Sequence, residues 1–374
     1  MTALAIVFWV SAGLVLYAHA GYFLLLSLIG RVRRRPALPD AAERPSVSVI
    51  VAAYAEAEVI AGRVANLREL DYPAERLEVI VACDGSPDAT AERARAAGAD
   101  VVLELPRGGK IRAQDAAVQA SQAEIVAFSD ANVRWEDGAL ARLVAPFADP
   151  HVGYVCGDVA FVNDRGSNQE GVYWRYEMAV RALESRVSSV TGGNGAIYAT
   201  RRESYLVVDP IMGHDLSFPF NMVKRGWLAL SVREAQASEK MVPTIEGEFA
   251  RKRRMMSHTW PIVLRGGMLS PRGYDPLYAL MIFSHRIVRY LTPFLHVIAL
   301  GTSLALIDQG WVYVAAVAIQ VAILVAALAA GAIRVRPLLI ARYYVLTTAS
   351  LAAGLWDWLA HGTAAGWEPA EGTR

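Results

Sequence analysis

The sequence predicts an α/β domain with a doubly wound, mixed sheet, joined to transmembrane α-helices. Residues 44–250 alternate short apolar strand patterns with helical patterns, as chains that form such sheets do. Both ends of the chain carry long apolar stretches. The composition agrees, because 54% hydrophobic residues and a mean hydropathy of +0.29 are high for a soluble protein, whereas 20% charged residues require a solvated part.

The first element is an apolar stretch over residues 3–30 that contains no Asp, Glu, Lys or Arg. A helix needs about 20 apolar residues to cross a bilayer, so residues 1–30 are predicted to form a transmembrane helix. A signal peptide is the alternative, but its apolar core is shorter, about 7–15 residues, and follows a basic start. The basic "RVRRRP" in the linker at 31–45 marks the cytosolic side of the span. We therefore expect the middle of the chain in the cytosol, at the plasma membrane.

Three further apolar stretches lie near the C-terminus, at 288–307, 311–331 and 338–360. Basic "SHRIVRY" precedes the first, acidic "DQG" follows it, and basic "RVRPLLIAR" separates the last two. This order predicts three transmembrane helices within 288–360, after interfacial helices at 251–287 and before a tail at 361–374. A hairpin of buried soluble helices is the alternative for these stretches.

The α/β part, assigned to residues 46–250, begins with apolar, β-branched runs that end in turn residues, as buried parallel strands do. The predicted strands are "SVSVIVAAY" (46–54), "LEVIVACDG" (77–85), "ADVVLEL" and "EIVAFSD". The predicted helices between them cover 56–70, 88–98 and 110–121. Ligands of a doubly wound sheet bind at the carboxyl ends of its strands, so functional groups are expected at the strand exits.

Acidic residues stand at two of these exits, Asp84 in "CDGSPDAT" and Asp130 in "FSDAN". No GxGxxG follows the first strand and no GxxxxGK[ST] occurs, which excludes the dinucleotide fingerprint and the P-loop. Carboxylates at strand exits favour recognition of a base or ribose and binding of a hard cation such as Mg²⁺ or Mn²⁺. For Asp84 alone, a turn or helix-capping role is the competing interpretation. Asn132 follows Asp130 by two residues, so on an extended chain both side chains would face one cation.

Several motifs together resemble the inverting family 2 glycosyltransferases of the GT-A fold, including membrane-bound, polysaccharide-synthase-like members. The resemblance extends over most of residues 46–260. In chain order the motifs are "SVIVAAYAEAEVI", "VIVACDGSPDATAE", "KIRAQDAAVQAS", "VAFSDANVRWEDGALARLVAPF", "GGNGAIYATRRE" and "GHDLSFPFNMVKRGW". The resemblance implies a GT-A catalytic domain that uses a nucleotide-sugar donor.

The same resemblance implies roles on the donor side. Asp84 would accept a hydrogen bond from the nucleobase, and Lys110 would approach the diphosphate, with a solvated helix lysine as its alternative interpretation. Asp130 and Asn132 would take the roles of the family's DxD motif and bind Mg²⁺ or Mn²⁺, although the amide brings no negative charge. The implied nucleotide-sugar-binding residues are Ala53, Tyr54, Glu56, Asp84, Lys110 and Asp130.

On the acceptor side, Asp215 in "MGHDLSF" matches the family's general base, which would take the proton from an acceptor hydroxyl. An N-cap role is its alternative interpretation. His214 stands where the family commonly has an acid, and a polar residue at a helix N-terminus is its simpler interpretation. The implied acceptor-side residues are Gly193, Asn194, Gly195 and His214.

The run "EGEFARKRRMMSHTW" resembles the family's [QR]xxRW element, with Arg251 and Arg254 at matching positions and Met255 in place of the tryptophan. The resemblance implies catalytic roles for Arg251 and Arg254, because cations there would stabilise the charge on the leaving diphosphate. Basic residues that hold the chain to anionic headgroups are the alternative. The missing tryptophan weakens the case for processive synthesis.

These patterns predict a membrane-bound enzyme that transfers a sugar, from a donor expected to be a UDP-sugar, to a lipid-linked or saccharide acceptor in cell-envelope or exopolysaccharide synthesis. Membrane lipids are further expected partners, whereas a net charge of +1 and a pI of about 7.8 indicate no nucleic-acid partner. A processive polysaccharide synthase that translocates its product and a catalytically silent nucleotide-binding scaffold are the alternative functions.

Overall fold

The computed structural model describes residues 3–35, 44–162, 170–240 and 244–366. Parts of the linker predicted at 31–45 and of the tail predicted at 361–374 lie outside these described residues. The chain forms two compact units. The helical unit comprises Met1–Val32, Thr244–Trp260 and Ala279–Gly362. The sheet unit comprises Arg33–Pro243, Pro261–Tyr278 and Thr363–Arg374.

In the described part of the sheet unit, eight strands form one mixed sheet. They are β1 (Val47–Ala53), β2 (Leu77–Asp84), β3 (Val101–Leu105), β4 (Ile125–Asp130), β5 (Val133–Trp135), β6 (Val152–Val162), β7 (Tyr198–Arg201) and β8 (Leu228–Lys240). Their order across the sheet is β3-β2-β1-β4-β7-β6-β8-β5. The first four in this order are parallel, whereas β7 is antiparallel to both of its neighbours and β5 is antiparallel to β8.

Helices occur in both units and in the segments between strands. They are α1 (Ala3–Leu16), α2 (Tyr22–Val32), α3 (Ile60–Arg68), α4 (Thr90–Ala96), α5 (Lys110–Ala120), α6 (Ala139–Val144), α7 (Glu170–Val187), α8 (His214–Lys224), α9 (Ile245–Leu264), α10 (Pro276–Met281), α11 (Thr292–Ala305), α12 (Trp311–Ala329) and α13 (Arg336–His361). A π-helical turn joins α1 to α2 at Tyr17–Gly21, and another follows α10 at Ile282–Val288.

The centre of the sheet is buried on both faces. Val49 and Val51 of β1 belong to a core cluster that includes Ile60 of α3. Ile50, which lies between them on the opposite face, belongs to a second cluster that includes Ala117 of α5. Burial of alternate residues on opposite faces explains why these strands read as continuous apolar runs in the sequence. The predicted doubly wound α/β fold is confirmed.

Strand register places the candidate site. Ala52 of β1 pairs with Asp130, and Ala53 pairs with Cys83, so the carboxyl ends of β1, β2 and β4 meet at one edge. At this edge β4 ends at Asp130. Residues 131–132 then form a turn that leads into β5. The expectation that Asp130 and Asn132 lie on one extended chain is therefore wrong, because the turn ends the alternation of a strand.

Among its described residues, the helical unit contains three helices that are long and apolar enough to cross a membrane, Ala3–Val32, Trp311–Ala329 and Arg336–His361. The stretch predicted at 288–307 falls in a pair of helices, Pro276–Val288 and Thr292–Ala305, that are bent by 65°. Pro293 lies in the first turn of α11, a position that proline tolerates. If the bent pair is counted as one span, the structure has four candidate spans. The four transmembrane segments stay a prediction of the sequence.

Candidate active site

The end of β1 brings a tyrosine to the edge of the sheet. The guanidinium of Arg107 lies over the ring of Tyr54, 3.3 Å from its centroid, in a cation–π contact. Ala53 and Glu56, on either side of this position, are buried. Between them, Ala55 has a φ of 52°, which is uncommon for a residue other than glycine and turns the chain sharply out of the strand. Tyr54 and Arg107 therefore form one wall of the strand-exit site.

Asp84, at the end of β2, holds the loop that leads into α5. Its carboxylate accepts hydrogen bonds from the N–H of Gly108 at 2.6 Å and of Gly109 at 3.0 Å to both oxygens. Arg107 Nη1 donates a further bond at 2.9 Å. A carboxylate offers about four acceptor positions, so these contacts use its capacity. Asp84 fixes the loop Arg107–Gly109, and its hydrogen bond to a nucleobase stays a prediction.

Lys110, the first residue of α5, forms an ion pair with Asp130 at the end of β4. The two side chains are 24% and 23% exposed, so the pair faces an open edge. The loop before β7 approaches this pair closely: a Cβ at Gly195 would lie 3.5 Å from Lys110 Nζ and 3.9 Å from Asp130 Oδ2. The predicted donor-side pair and a predicted acceptor-side residue are therefore neighbours.

A buried arginine, Arg63 of α3, adds positive charge near Asp130. Its Nη1 donates to Asn66, and its guanidinium lies 4.9 Å from the ring centroid of Trp135. Its Nε and Nη2 have no hydrogen-bond partner among the described residues. Burial lowers the pKa of Arg63 to about 9, and the charge of Asp130 acts in the opposite direction. Two cations, Arg63 and Lys110, thus act on one carboxylate.

Asn132, in the turn after β4, contacts a carboxylate of a distant strand. Its Nδ2 donates to Glu239 Oε1 of β8 at 3.4 Å. Within the described ranges, no group of three or more His, Cys, Asp or Glu could hold a metal by itself. Hard cations such as Mg²⁺ take oxygen ligands and commonly keep waters or bind substrate phosphates. Asp130 and Asn132 carry oxygens of this kind, and their binding of a cation together with a substrate diphosphate stays a prediction.

The acceptor-side loop is tied to the first turn of α8. The N–H of Gly193 donates to the backbone carbonyl of Asp215 at 2.6 Å, and the carbonyl of Gly193 accepts from Arg181 Nη2 at 2.9 Å. Arg181 of α7 is buried, and the Tyr154 hydroxyl occupies the space that a Cβ at Gly193 would need. Arg181 is therefore linked through Gly193 to the backbone of Asp215.

His214 directly precedes Asp215 and lies inside an aromatic cluster. Its Nδ1 shares a hydrogen bond with the hydroxyl of Tyr198 at 2.8 Å, and its ring stacks on Phe218 with centroids 4.0 Å apart. Burial, and then the charge of Lys110, lower the pKa of His214 to about 3. The imidazole is therefore neutral at pH 7 and packs against the start of α8.

Tyr198 lies near the carboxylates of both sides. Its hydroxyl contacts His214 and also accepts a hydrogen bond from Gln114 Nε2 at 3.2 Å. Burial raises the pKa of Tyr198 well above its ordinary value, and the negative charges of Asp130 and Asp215 add to this effect. The charges of Asp130 and Asp215 thus both act on the neutral hydroxyl of Tyr198.

Asn194 is buried and holds the backbone of the acceptor-side loop. Its Nδ2 donates to the carbonyl of Gly157 at 2.8 Å. Its Oδ1 accepts from the N–H groups of Ala196 at 3.1 Å and Ile197 at 2.9 Å. These contacts give Asn194 a structural role, and its predicted contact with an acceptor stays a prediction.

Arg251 and Arg254 lie on α9, in the part of that helix that belongs to the helical unit. Arg251 binds both carboxylate oxygens of Glu248, at 2.7 and 2.8 Å, and Lys252 contacts the same carboxylate at 3.2 Å. Arg254 is exposed. Since Asp130 and Asp215 belong to the sheet unit, the catalytic roles of the two arginines stay predictions.

Four side chains at the site were missed by the sequence analysis. They are Arg63, Arg107, Arg181 and Glu239. Arg107 directly precedes the glycine pair of "RGGK", and this local signal could have identified it. The other three lie in ordinary helix or strand sequences and meet the site through tertiary contacts, so no local pattern marks them.

Residues 48–208 match the model of the family described as glycosyl transferase family 2. The chain is similar to the curated glycosyltransferase AglE of Haloferax volcanii, with 31% identity over 127 residues, which is 33% of this chain and 42% of that protein. It is also similar to a beta-monoglucosyldiacylglycerol synthase of Synechocystis sp., with 31% identity over 171 residues, which is 41% of this chain and 33% of that protein. The chain thus matches less than half the length of these curated relatives.

Among solved structures, the chain resembles the mannosyltransferase PcManGT from Pyrobaculum calidifontis, which was solved in complex with GDP-Man and Mn²⁺. The TM-score is 0.76 at 22% sequence identity, and the match covers 96% of this chain and 99% of that chain. At this identity the likeness concerns the fold. Together with the matched family model, it identifies the sheet unit as a GT-A domain.

Proposed function

We propose that the glycosyltransferase family 2 domain of this chain transfers a sugar from a nucleotide-sugar donor to an acceptor hydroxyl, with inversion at the anomeric carbon. One observation carries this proposal: the acceptor-side loop meets the Lys110–Asp130 pair at Gly195 and bonds to Asp215 through Gly193. The same loop thus contacts both the edge where the donor is expected to bind and the candidate general base.

On the donor side, the loop Arg107–Gly109 and the ring of Tyr54 would bind the base, and Lys110 would face the diphosphate. Positive charge fixed at this place stabilises the negative charge that develops on the leaving group, without reorganisation during the reaction. Arg63 adds to that charge from a buried position. Mg²⁺ or Mn²⁺, held by Asp130 and Asn132, would supply further charge neutralisation of the diphosphate when bound.

On the acceptor side, Asp215 would take the proton of the acceptor hydroxyl while that oxygen attacks the anomeric carbon. The bond between this carbon and the diphosphate oxygen breaks as the new bond forms on the opposite face. A single displacement of this kind inverts the anomeric configuration. His214 is neutral at pH 7, so it places no competing charge beside Asp215.

We also propose that the protein is a multi-pass membrane protein with a cytosolic catalytic domain and a lipid-linked or saccharide acceptor. Three apolar helices of spanning length and the basic "RVRRRP" after the first support a membrane location. The relative named for a glucosylated diacylglycerol makes a lipid acceptor the first to test. A UDP-sugar remains the expected donor, and GDP-mannose, the ligand of the mannosyltransferase neighbour, belongs in the same panel.

Membranes that contain the chain, incubated with Mn²⁺ and a panel of UDP- and GDP-sugars, should release nucleoside diphosphate from one donor class. Mass spectrometry of the lipid extract should then reveal an acceptor that is one sugar heavier. Asp215→Asn should abolish this product, whereas the matched control Asp137→Asn, an exposed carboxylate, should retain it. Equal product from both variants would show that the site is assigned wrongly. A product of many sugars would favour the processive synthase, and nucleotide binding without turnover would favour the silent scaffold.

A further inference from the structure

The amide of Asn132 is oriented by a carboxylate from a distant strand. Its Nδ2 lies 3.4 Å from Oε1 of Glu239, within hydrogen-bond distance. The contact follows from sheet pairing, because β5 is antiparallel to β8 and Val133 is the register partner of Glu239. Since Asn132 directly precedes Val133, the end of β8 brings Glu239 beside the turn that follows Asp130.

This contact selects one orientation of the amide. An ionised carboxylate only accepts hydrogen bonds, whereas an asparagine amide has a donor end and an acceptor end. The flipped amide would bring Oδ1 of Asn132 against an oxygen of Glu239, which is repulsive. In the favoured orientation Oδ1, the atom that can bind a cation, faces away from Glu239. Carboxylates that orient a metal-binding side chain from behind are a regular part of metal sites.

Charge gives Glu239 a second role. Lys110 pairs with Asp130, and Arg63 is a second cation that acts on the same carboxylate. Two cations beside one carboxylate disfavour the approach of a divalent cation, because like charges repel. An aspartate in place of Asn132 would offset one of these two positive charges, whereas the neutral amide of an asparagine does not. Glu239 brings a negative charge to this position.

We propose that Glu239 is a positioning residue for divalent cation binding, which turns the oxygen of Asn132 toward the cation and supplies the negative charge that the amide lacks. The inference rests on the proposed function, since the cation is the one expected to bind with the donor's diphosphate. Asn132 then provides the oxygen that binds the cation and Glu239 provides the negative charge, whereas a single aspartate would provide both.

Binding of Mn²⁺ to the full-length chain in detergent tests this role without turnover. Free Mn²⁺ would be measured by electron paramagnetic resonance with UDP present and, in a parallel series, with GDP. Glu239→Gln should weaken Mn²⁺ binding about 10-fold, the lower end of the range for residues that support a metal ligand. Glu234→Gln, an exposed carboxylate change on the same strand, should leave binding unchanged.

A second substitution separates positioning from misfolding. Asn132→Asp in the Glu239→Gln background should restore most of the lost affinity, because an aspartate brings its own charge and can bind through either oxygen. Unchanged Mn²⁺ binding in Glu239→Gln, or a double variant no better than Glu239→Gln, would overturn the inference. A wild-type chain that binds neither Mn²⁺ nor nucleoside diphosphate would instead overturn the proposed function, so the two failures are distinguishable.

Discussion

The donor and acceptor sides of the candidate site differ in what surrounds their carboxylates. On the donor side, Asp84 contacts the guanidinium of Arg107, and Asp130 pairs with Lys110. On the acceptor side, Asp215 follows the neutral imidazole of His214, and its backbone carbonyl is held by the N–H of Gly193. On the donor side the carboxylates pair directly with cations, whereas on the acceptor side His214 is neutral and the cation Arg181 bonds to the backbone carbonyl of Gly193.

This difference matches the two tasks of the proposed reaction. A diphosphate needs positive charge that is already in place, and carboxylates such as Asp130 keep that charge compensated until substrate binds. A general base needs surroundings that leave its carboxylate able to accept a proton, and a cation beside it would oppose protonation. We therefore expect substitutions on the two sides to change different kinetic constants.

The largest expected effect tests this separation directly. Asp215→Asn should lower kcat about 1,000-fold, within the usual contribution of general acid–base catalysis, and leave the KM for the donor unchanged. Asp130→Asn should instead raise the Kd for nucleoside diphosphate in the presence of Mn²⁺. Steady-state kinetics and calorimetry on the purified full-length chain measure the two constants separately. Loss of nucleotide binding in both variants to the same degree would show that the two sides do not divide the work in this way.

A smaller effect is expected at Arg181, which reaches Asp215 through Gly193. Arg181→Gln removes the buried cation that donates to the Gly193 carbonyl, so the loop and the first turn of α8 can shift. A misplacement of about 1 Å costs on the order of 100-fold in rate, and we expect kcat to fall about 10- to 100-fold with donor KM unchanged.

The conservative variant and a matched control sharpen that test. Arg181→Lys keeps the charge and one donor, so it should recover part of the lost kcat. Arg175→Gln, an exposed position on the same helix α7, should leave kcat unchanged. A fall in thermal stability without any change in kcat for Arg181→Gln would reduce Arg181 to a purely structural residue.

The same comparison explains how much the sequence could predict. Strands β1, β2 and β4 are mostly apolar, and β2 and β4 each end in an aspartate, so their own residues indicate both the burial of the strand and the polar group at its end. Asp84 and Asp130 were found for that reason. The strands after β4 and their pairing were not predicted, because β7 is only four residues long and β6 and β8 pair in parallel across two irregularities in register that depend on both strands together.

Contacts between distant elements account for the residues that were missed. Glu239 lies 107 positions from Asn132 along the chain, and the β5–β8 register brings them together. Arg181 acts on Asp215 through the backbone of Gly193, which no side-chain pattern records. His214 was recognised as a departure from the family pattern, but only the aromatic cluster around it explains why a neutral residue fits there.

The smallest expected effect concerns the neutrality of His214. Its pKa is about 3 in the folded chain and 6.5 ordinarily, so only the unfolded chain takes up a proton as the pH falls through 6.5. Stability is therefore lost progressively from pH 6.5 down to about 3, and between pH 7.5 and pH 6 the free energy of unfolding should fall by about 1 kcal/mol.

His214→Phe cannot take up this proton, so denaturant titrations at the two pH values should show a smaller fall in the free energy of unfolding for the variant. It should also be less stable at pH 7.5, since it loses the hydrogen bond to Tyr198. An equal fall in both proteins would mean that the pKa of His214 is not lowered in the folded chain, and the acceptor side would then carry a cation beside Asp215 at pH 6, as the donor side does beside Asp130.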